Sequence, residues 1–390
     1  MADTNRLHSV NTSRVLRAIR QNPGISRIKV AELLDLDRST VTKIMQVILD
    51  RALVRTVGKN TTQSGVGRRQ INLEINTEIG VVLGIEIQEK TYRAVLCDLE
   101  GNLADSMEGP FTVSSKTLDA ELAKIVADAR RRSGEAGKLL LGVGIGIPGI
   151  IDPYTGTIVR SFPFCIDEPC SLSKRLQSLF PEPVFIENDA NCCCWAEMAF
   201  RPGDINRNFV AVLGEFRENV WPSKGTGLAV GLGLVIRSRV LHGDHFTTGE
   251  FRSLYAAKND PQFRASRKNV SSLPENTLLL RQIYKELTDN LGFMINCFDL
   301  NKVVFAGDLP EHRENLEEAM AASLDKNLVY CSQRTEPVPV EFSPFGKNSV
   351  SMGAAGMFIE KLFTVPDMAD HFQELVGYDL FERIFRLHTL

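Results

Sequence analysis

The sequence predicts an α/β protein: a winged helix-turn-helix module ahead of two related α/β lobes that face each other across a cleft. Three observations lead there. Residues 1–75 carry helix-period apolar patterns, broken by short turns and followed by two alternating segments. The rest of the chain shows a hairpin-then-αβ pattern twice. Charge divides along the same line: residues 1–75 hold 13 Lys and Arg against 6 Asp and Glu, whereas the whole chain carries a formal charge of −3. A basic module before an acidic body suits a polyanionic partner, and nucleic acid is the natural candidate.

In "NTSRVLRAIRQNPG", Val15, Leu16 and Ile19 share one helical face, and Asn22-Pro23-Gly24 ends the helix. "SRIKVAELLDL" starts at Ser26, a good N-cap, and offers Ile28, Val30, Ala31, Leu33 and Leu34 for burial. After a short break, "DRSTVTKIMQVILDRALV" turns Val41, Ile44, Met45, Ile48 and Leu49 inward. Its other face shows Arg38, Ser39, Thr40, Thr42 and Lys43. A recognition helix enters the major groove by such an N-terminal end. "LVRTVG" and "RRQINLEIN" flank "KNTTQSGVG" as a hairpin, hence a wing, with Arg68 and Arg69 at its base, where a basic arm reaches a minor groove. The competing reading is a three-helix protein-interaction module with a solvated charged face.

From residue 80 the chain reads strand, turn, strand, turn, strand, with Glu100-Gly101-Asn102 as one turn. A helix follows in "SKTLDAELAKIVADARRRSGEAG", then the buried strand "LLLGVGIGIPG" and the loop "IIDPYTGTIV". The second set has strands at "NFVAVLGEF" and "GLAVGLGLVIRSRVL", a long helix around 274–297, the strand "KVVFAGDL", then helix, strand and the helix "SVSMGAAGMFIEKLF". The expected boundaries are 1–75, 76–200, 201–366 and a helical extension at 367–390. In that extension Phe372, Leu375, Leu380, Ile384 and Phe385 form an amphipathic ending, for the chain's own domain or for a partner subunit. No apolar run reaches the roughly 18–20 residues of a membrane span. The opening "MADTNRLHSVNTSR" lacks an apolar signal core, so cytoplasmic residence is expected and no membrane partner. Cys192, Cys193 and Cys194 are consecutive and read as reduced packing residues, with a redox sensor as the weaker alternative.

"VFIENDANCCCWAEMAF" carries the chemistry. An apolar run ends in Glu187, Asn188 and Asp189 and passes into an amphipathic stretch. An Asn-Asp pair there can grip two hydroxyls and take a proton from one. The plainer reading is that Asp189 caps the helix beginning at Ala190. Glu197, further along that helix, reads as a structural hydrogen-bonding group.

Taken in order, the helix-turn-helix segment, "GVGIGIPGIIDPYTGTI", "PVFIENDANCCCWAEMAF", "HGDHFTTGEF" and "SMGAAGMF" resemble the landmarks of the ROK (repressor, open reading frame, kinase) transcriptional regulators, over nearly the whole chain. The resemblance implies the actin-like, sugar-kinase architecture. It also implies a sugar-binding Asn at Asn188, a catalytic Asp at Asp189 and the Glu of a GExGH motif at Glu250.

Against that family the chain departs at each part a kinase needs. The first phosphate loop, Asp-x-Gly-x-Thr in the family, is "GIEIQEKT" here, with Glu86, Gln88 and Lys90 at the three named positions. Glycine lets backbone approach a phosphate; glutamine does not. Glu86 and Glu89 would also repel a nucleotide. The GxGxG loop reads "AVGLG", with Ala229 for one glycine, after a long "GEFRENVWPSKGTG". "FAGDL" keeps only Gly307 of a glycine pair. The family's GExGH glycine and histidine fall on Arg252 and Ser253, and no Cys or His follows in "LYAAKNDPQFRASRKNVSSLPENT", where the family's zinc-binding thiolates stand. No zinc and no other cofactor are expected.

The resulting expectation is a repressor of carbohydrate-related genes that binds double-stranded operator DNA as a homodimer or homotetramer. It senses a sugar or sugar derivative through Asn188, Asp189, Glu250 and Arg252, the last of which could answer an acidic ligand group. The alternatives are a sugar kinase with a DNA-binding head and a constitutive DNA-binding scaffold.

Overall fold

The computed structural model describes residues 2–59, 71–112, 116–201, 207–218, 226–268, 273–328, 337–367 and 375–388. The head begins with α1 (Ala2–Gln21), whose Val15, Leu16 and Ile19 are fully buried. A short strand β1 (Ile25–Ser26) leads into α2 (Arg27–Leu34), where the Ser26 side chain accepts from the Lys29 amide at 3.4 Å. Only Val30 and Ala31 of α2 are buried; Ile28 and Leu33, expected inside, are 44% and 58% exposed. An eight-residue helix has one inward stripe, and these two lie off it. α3 (Arg38–Asp50) buries Val41, Ile44, Met45 and Ile48 as its period requires. β2 (Val54–Lys59) and β3 (Ile71–Ile75) pair antiparallel, and β1 joins β3 to complete a three-stranded sheet. The wing tip, with Arg68 and Arg69, lies outside the described residues.

The first lobe holds β4 (Gly80–Ile87), β5 (Thr91–Cys97) and β6 (Leu103–Pro110), then α4 (Leu118–Glu135), β7 (Leu139–Ile147), the hairpin β8 (Ile150–Asp152) and β9 (Thr157–Arg160), α5 (Leu172–Gln177), β10 (Val184–Asn188) and α6 (Asp189–Phe200). Its sheet runs β10-β7-β4-β5-β6. The β8–β9 hairpin occupies a stretch expected as loop; its two short strands carry too few residues to show a period. The second lobe holds β11 (Phe209–Glu218), β12 (Thr226–Ile236), β13 (Arg239–Val240), α7 (Thr277–Phe298), β14 (Lys302–Gly307), α8 (Arg313–Asn327), β15 (Val340–Phe342) and α9 (Ser349–Leu362). Its sheet runs β13-β12-β11-β14-β15, repeating the mixed plan of the first.

α9 leaves the second lobe and lies on the first sheet. A Cβ on Gly84 of β4 would overlap the Ser351 carbonyl, and one on Gly144 of β7 would overlap Ala354. The Gly-Ala-Ala-Gly run of α9 is therefore a close-packing surface. On its other side a Cβ on Gly353 would strike the Cys192 carbonyl of α6. Cys192, Cys193 and Cys194 are buried in that seam, and burial pushes all three thiols well above their ordinary range, so they pack as neutral thiols.

The last helix, α10 (Tyr378–His388), returns to the head of its own chain. Leu380, Phe381 and Ile384 enter one continuous apolar cluster with Leu16 and Ile19 of α1, Met45 and Ile48 of α3, and Phe358 and Leu362 of α9. Phe372 lies outside the described residues. Polar contacts reinforce the junction: Ser9 Oγ donates to Asp379 at 2.7 Å, and Ser13 Oγ accepts from the Tyr378 amide at 2.8 Å. Arg20 pairs with Glu360 at 2.8 Å, and Arg51 pairs with Glu382 while lying over the Tyr378 and Phe385 rings. Head and body thus share one core. Phe381→Ala should cost about 3–5 kcal/mol, the usual range for truncating a buried aromatic. Denaturant unfolding followed in the full chain checks this; a loss under about 1 kcal/mol would mean α10 contributes little to the junction.

Candidate functional site

α3 presents its polar residues as its helical period dictates. Arg38, Ser39, Thr42 and Lys43 are exposed, and Thr40 is half-buried. Thr42 Oγ1 donates back to the Arg38 carbonyl at 2.7 Å, which fixes its rotamer. The five residues line the start of the helix, next to the turn after α2.

In the cleft, β10 delivers Asn188 and Asp189 to the N-terminus of α6. Asn188 is the cap: its Oδ1 accepts from the Asn191 amide at 3.1 Å. Its Nδ2 donates to the Gly149 carbonyl at 2.9 Å, tying the strand end to the loop before β8. Both ends of this amide are engaged within the chain. Asp189 is the first helical residue. Its Oδ1 accepts from the Ala190 amide at 2.8 Å, and its Oδ2 lies 3.6 Å from Arg217 Nη2 of β11, across the cleft. Burial raises the Asp189 carboxyl, Arg217 lowers it, and the charge of Glu215 raises it again; the net direction is upward.

Glu187, just before Asn188, points into the chain. It accepts from the Asn188 amide at 2.9 Å, from Asn191 Nδ2 at 3.2 Å and from Trp195 Nε1 at 3.2 Å, and meets His242 Nε2 at 2.8 Å. Burial works to raise its carboxyl, but the His242 contact and these donors hold it below the usual carboxylate range. The Tyr154 hydroxyl lies 3.4 Å from His242 Nδ1, so the imidazole links the two lobes. Sequence reading missed His242 and Tyr154. Glu197 is structural, as expected: it pairs with Arg201 at 3.0 Å and with the buried Lys302 at 3.5 Å.

Glu250 stands on the Asp189 side of the cleft through its backbone: it bridges Gly231 of β12, where an added Cβ would lie 3.1 Å from Ala190 Cβ. Glu250 is exposed over the residue as a whole, but partial desolvation of its carboxyl, then the Asp189 charge, raise it. Arg252 does not join them. Its guanidinium donates to the Ala257 carbonyl and, at 3.5 Å, to the Asp260 carbonyl, so it holds the following loop. The reason is local: loop carbonyls offer a nearer set of acceptors than the cleft.

That loop is built on hydrogen bonds. Gln262 bonds both the amide and the carbonyl of Val230, at 2.9 and 2.7 Å. Glu286 of α7 accepts from the Arg264 and Ala265 amides at 2.8 and 3.0 Å. Asn290 Oδ1 accepts from the Leu254 amide at 2.9 Å. A closed zinc site needs about four ligands, commonly thiolate or imidazole. The side chains here do not fit that requirement, and among the described residues no three His, Cys, Asp or Glu gather as a metal site. Exhaustive chelation should therefore leave the thermal unfolding midpoint within about 1 °C, since no ligand-linked term is removed. Elemental analysis finding one tightly held zinc per chain would show that ligands come from elsewhere.

At the phosphate side of the cleft, side chains stand where the family has glycine. Gln88 Nε2 donates to Glu86 at 2.7 Å and, across the lobes, to Glu215 of β11 at 2.6 Å. Arg93 lies 3.4 Å from Glu86, and Arg217 pairs with Glu215. Lys90 reaches Glu218 at 2.8 Å on the exposed rim. Burial, then the Glu215 charge, push Glu86 up to about 8. Glu86, Gln88, Arg93, Glu215 and Arg217, with Gly307, Asp308 and Lys347, line a cavity of about 80 Å³. Gln88 takes the room a glycine would leave, and the Glu215 charge beside it would repel a phosphate chain. The residues present do not fit ATP phosphates.

Comparison with known proteins agrees with both parts. The pattern of the ROK family matches residues 82–262, and that of a winged helix-turn-helix DNA-binding domain matches residues 10–47. The xylose repressor of Bacillus spizizenii is 23% identical over 94% of this chain and all of its own length. The DNA-binding transcriptional dual regulator NagC of Escherichia coli is 24% identical over 62% of this chain and 56% of its own. Among solved structures, a ROK family transcriptional regulator described as a homologue of the E. coli MLC protein superposes with a TM-score of 0.74 at 17% identity, covering 98% of this chain and all of that one. A ROK family glucokinase from Streptomyces griseus reaches 0.55 at 17% identity, over 71% of this chain and 99% of its own. The fold and its cleft define the class, a sugar-kinase-like two-lobed protein. Residues 82–262 match the ROK family and residues 10–47 a winged helix-turn-helix, so the chain is similar to ROK proteins that carry an N-terminal DNA-binding head.

Proposed function

We propose that this chain is a DNA-binding transcriptional repressor of carbohydrate-related genes that responds to a small ligand in its interlobe cleft and transfers no phosphate. One observation carries the reading: the recognition-helix head and the kinase-like body share a continuous apolar core, while the phosphate side of the cleft is narrowed to a small cavity lined by Glu86, Gln88, Glu215 and Arg217. A head so joined feels lobe movement. A cleft so lined has no seat for a nucleotide's phosphates. The naming of one relative as a xylose repressor and of another as a DNA-binding transcriptional dual regulator supports the same reading. The ligand side consists of Asp189 and Glu250, with Asn188 holding the strand end. Arg252 serves the loop.

The working unit is a homo-oligomer, a dimer or tetramer, on a pseudo-palindromic operator in the cytoplasm. No described helix is long and apolar enough to cross a membrane. Arg38, Ser39, Thr40, Thr42 and Lys43 contact the major groove, and Arg68 and Arg69 the minor groove. Lys43→Ala should weaken binding to a selected operator by about 1–3 kcal/mol if it reads a base, and binding should fall steeply with salt. Fluorescence anisotropy across a salt series measures both. Wild-type affinity in Lys43→Ala, Arg68→Ala and Arg69→Ala together would remove this docking mode. A coupled ATP-turnover assay with a hexose panel tests the kinase alternative; sustained turnover lost in Asp189→Asn would establish it.

A further inference from the structure

We propose that Thr42 reads a thymine in the major groove through the C5 methyl of the base, by apolar contact and not by a hydrogen bond. The proposal rests on α3 being the recognition helix, as above, and assigns a base and a chemical group to one of its residues.

The outward face of α3 is set by its buried one. Val41, Ile44, Met45 and Ile48 face the core. Ser39, Thr42, Lys43 and Gln46 are exposed, and their i, i+3, i+4, i+7 spacing makes them one stripe. Thr42 lies in the middle of that stripe, about one turn from Ser39 on one side and from Gln46 on the other. A helix laid in the groove brings the middle of its outer stripe nearest the base edges. A short side chain reaches a base only from such a place, whereas a long cation such as Arg38 also reaches phosphate.

The chemistry of Thr42 follows from its own hydrogen bond. Its Oγ1 donates to the Arg38 carbonyl at 2.7 Å. A hydroxyl has one proton, and this one is committed to the helix backbone. In that state Thr42 cannot donate to the acceptors of the major groove: purine N7, guanine O6 or thymine O4. The same bond draws Oγ1 back against the preceding turn. A β-branched side chain is stiff at χ1, so fixing one branch fixes the other. The group left to meet a base is the Cγ2 methyl. The apolar group that the major groove offers it is the C5 methyl of thymine.

The test uses an operator selected by the full chain from random duplexes. Each thymine is replaced in turn by deoxyuridine, which lacks the C5 methyl and keeps every hydrogen-bonding group. At one thymine in each half-site the replacement should weaken binding by about fourfold per half-site, the equivalent of one buried methyl. Thr42→Ser keeps the hydroxyl and loses the methyl. It should weaken binding to the thymine operator by a similar factor and abolish the deoxyuridine penalty at that position. Thr42→Val keeps a methyl and loses the hydroxyl. It should bind like the parent and retain the penalty. The proposal is overturned if no thymine carries such a penalty or if the penalty survives in Thr42→Ser. It is also overturned if Thr42→Val loses affinity while Thr42→Ser does not, because the hydroxyl then does the reading. Wild-type affinity in Lys43→Ala, Arg68→Ala and Arg69→Ala together removes the docking mode and this proposal with it. Weakened binding in those variants with no thymine penalty sinks only the reading by Thr42.

Discussion

Replacing Arg217 by leucine should lower the stability of the two-lobed body by about 2–4 kcal/mol at neutral pH, slightly below the range for breaking a fully buried ion pair because Arg217 keeps some solvent contact. The substitution leaves Glu215 and Asp189 facing each other with no cation between them, and Glu86 close behind. Gln88 still bridges Glu86 and Glu215, but an amide offsets no charge. The loss should shrink in mild acid, where the carboxylates protonate. Glu86 itself sets the sign in the parent protein. Its folded carboxyl is raised to about 8 from an ordinary 4.5, so the folded state binds the proton more tightly than the unfolded chain. Its contribution is fully present below the ordinary value and is lost as pH rises through the folded one. Stability should therefore fall from this group between about pH 4.5 and 8, by at most about 1.4 kcal/mol per pH unit. Glu187, held low by His242, acts in the opposite sense at the acid end: its contribution fades as pH falls through its depressed value. Denaturant midpoints across pH for the parent, Arg217→Leu and Glu86→Gln separate these terms. A parent slope that Glu86→Gln does not flatten would mean the buried proton sits elsewhere.

The network was only half visible in the sequence. Glu86 and Gln88 drew notice because they replace a resemblance-implied Asp and Gly. Glu215 and Arg217 did not, although an i, i+2 pair on a strand shares one face. The expected strand "NFVAVLGEF" holds Glu215 but stops before Arg217, which falls in the long "GEFRENVWPSKGTG" stretch, whereas β11 runs on to Glu218. What joins the two pairs is a register across lobes 127 residues apart in sequence, and no local pattern encodes it. The helices and most strands were readable because their apolar periods are strong: the α3 burial follows its spacing almost residue by residue. The β8–β9 hairpin was too short to carry a period, and α2 was too short to bury all its apolar side chains. Arg252 points away from Asp189 for a different reason. Its assignment came from its position in a motif, but its direction is set by carbonyls of a loop that has no counterpart in that motif. The capping alternative for Asp189 fared in between, because the helix begins one residue earlier than expected and Asn188 takes the cap.

Asp189→Ala should leave operator binding intact in the absence of ligand and abolish the response to it. Since Asn188 already caps α6, truncating Asp189 removes one amide acceptor and a carboxylate from the cleft, and α6 should persist. What it removes is the ligand-side charge that reaches the second lobe through Arg217. The helix it starts is well placed to report lobe movement. α6 packs on β12, where a Cβ on Gly233 would strike the Ala190 carbonyl, and on α9, where Gly353 abuts Cys192. α9 in turn carries Glu360 to Arg20 of the head, and its Phe358 and Leu362 into the shared core. Paired heads must match half-sites about 34 Å or a multiple apart, so a modest rotation passed along this path misplaces them. The ligand must prefer one lobe arrangement, because equal affinity for both shifts nothing. A hundredfold change in operator affinity needs a preference of about 2.7 kcal/mol, within reach of a few hydroxyl contacts to ionised carboxylates. Asp189→Asn is the companion variant: it keeps the acceptor for the Ala190 amide, loses the charge, and should respond weakly. Operator titrations with and without ligand measure the coupling directly. The damaging result is an Asp189→Ala protein that folds normally and still responds at the same ligand concentration, which would move the sensing site away from the end of β10 and leave this carboxylate as a partner for Arg217 alone.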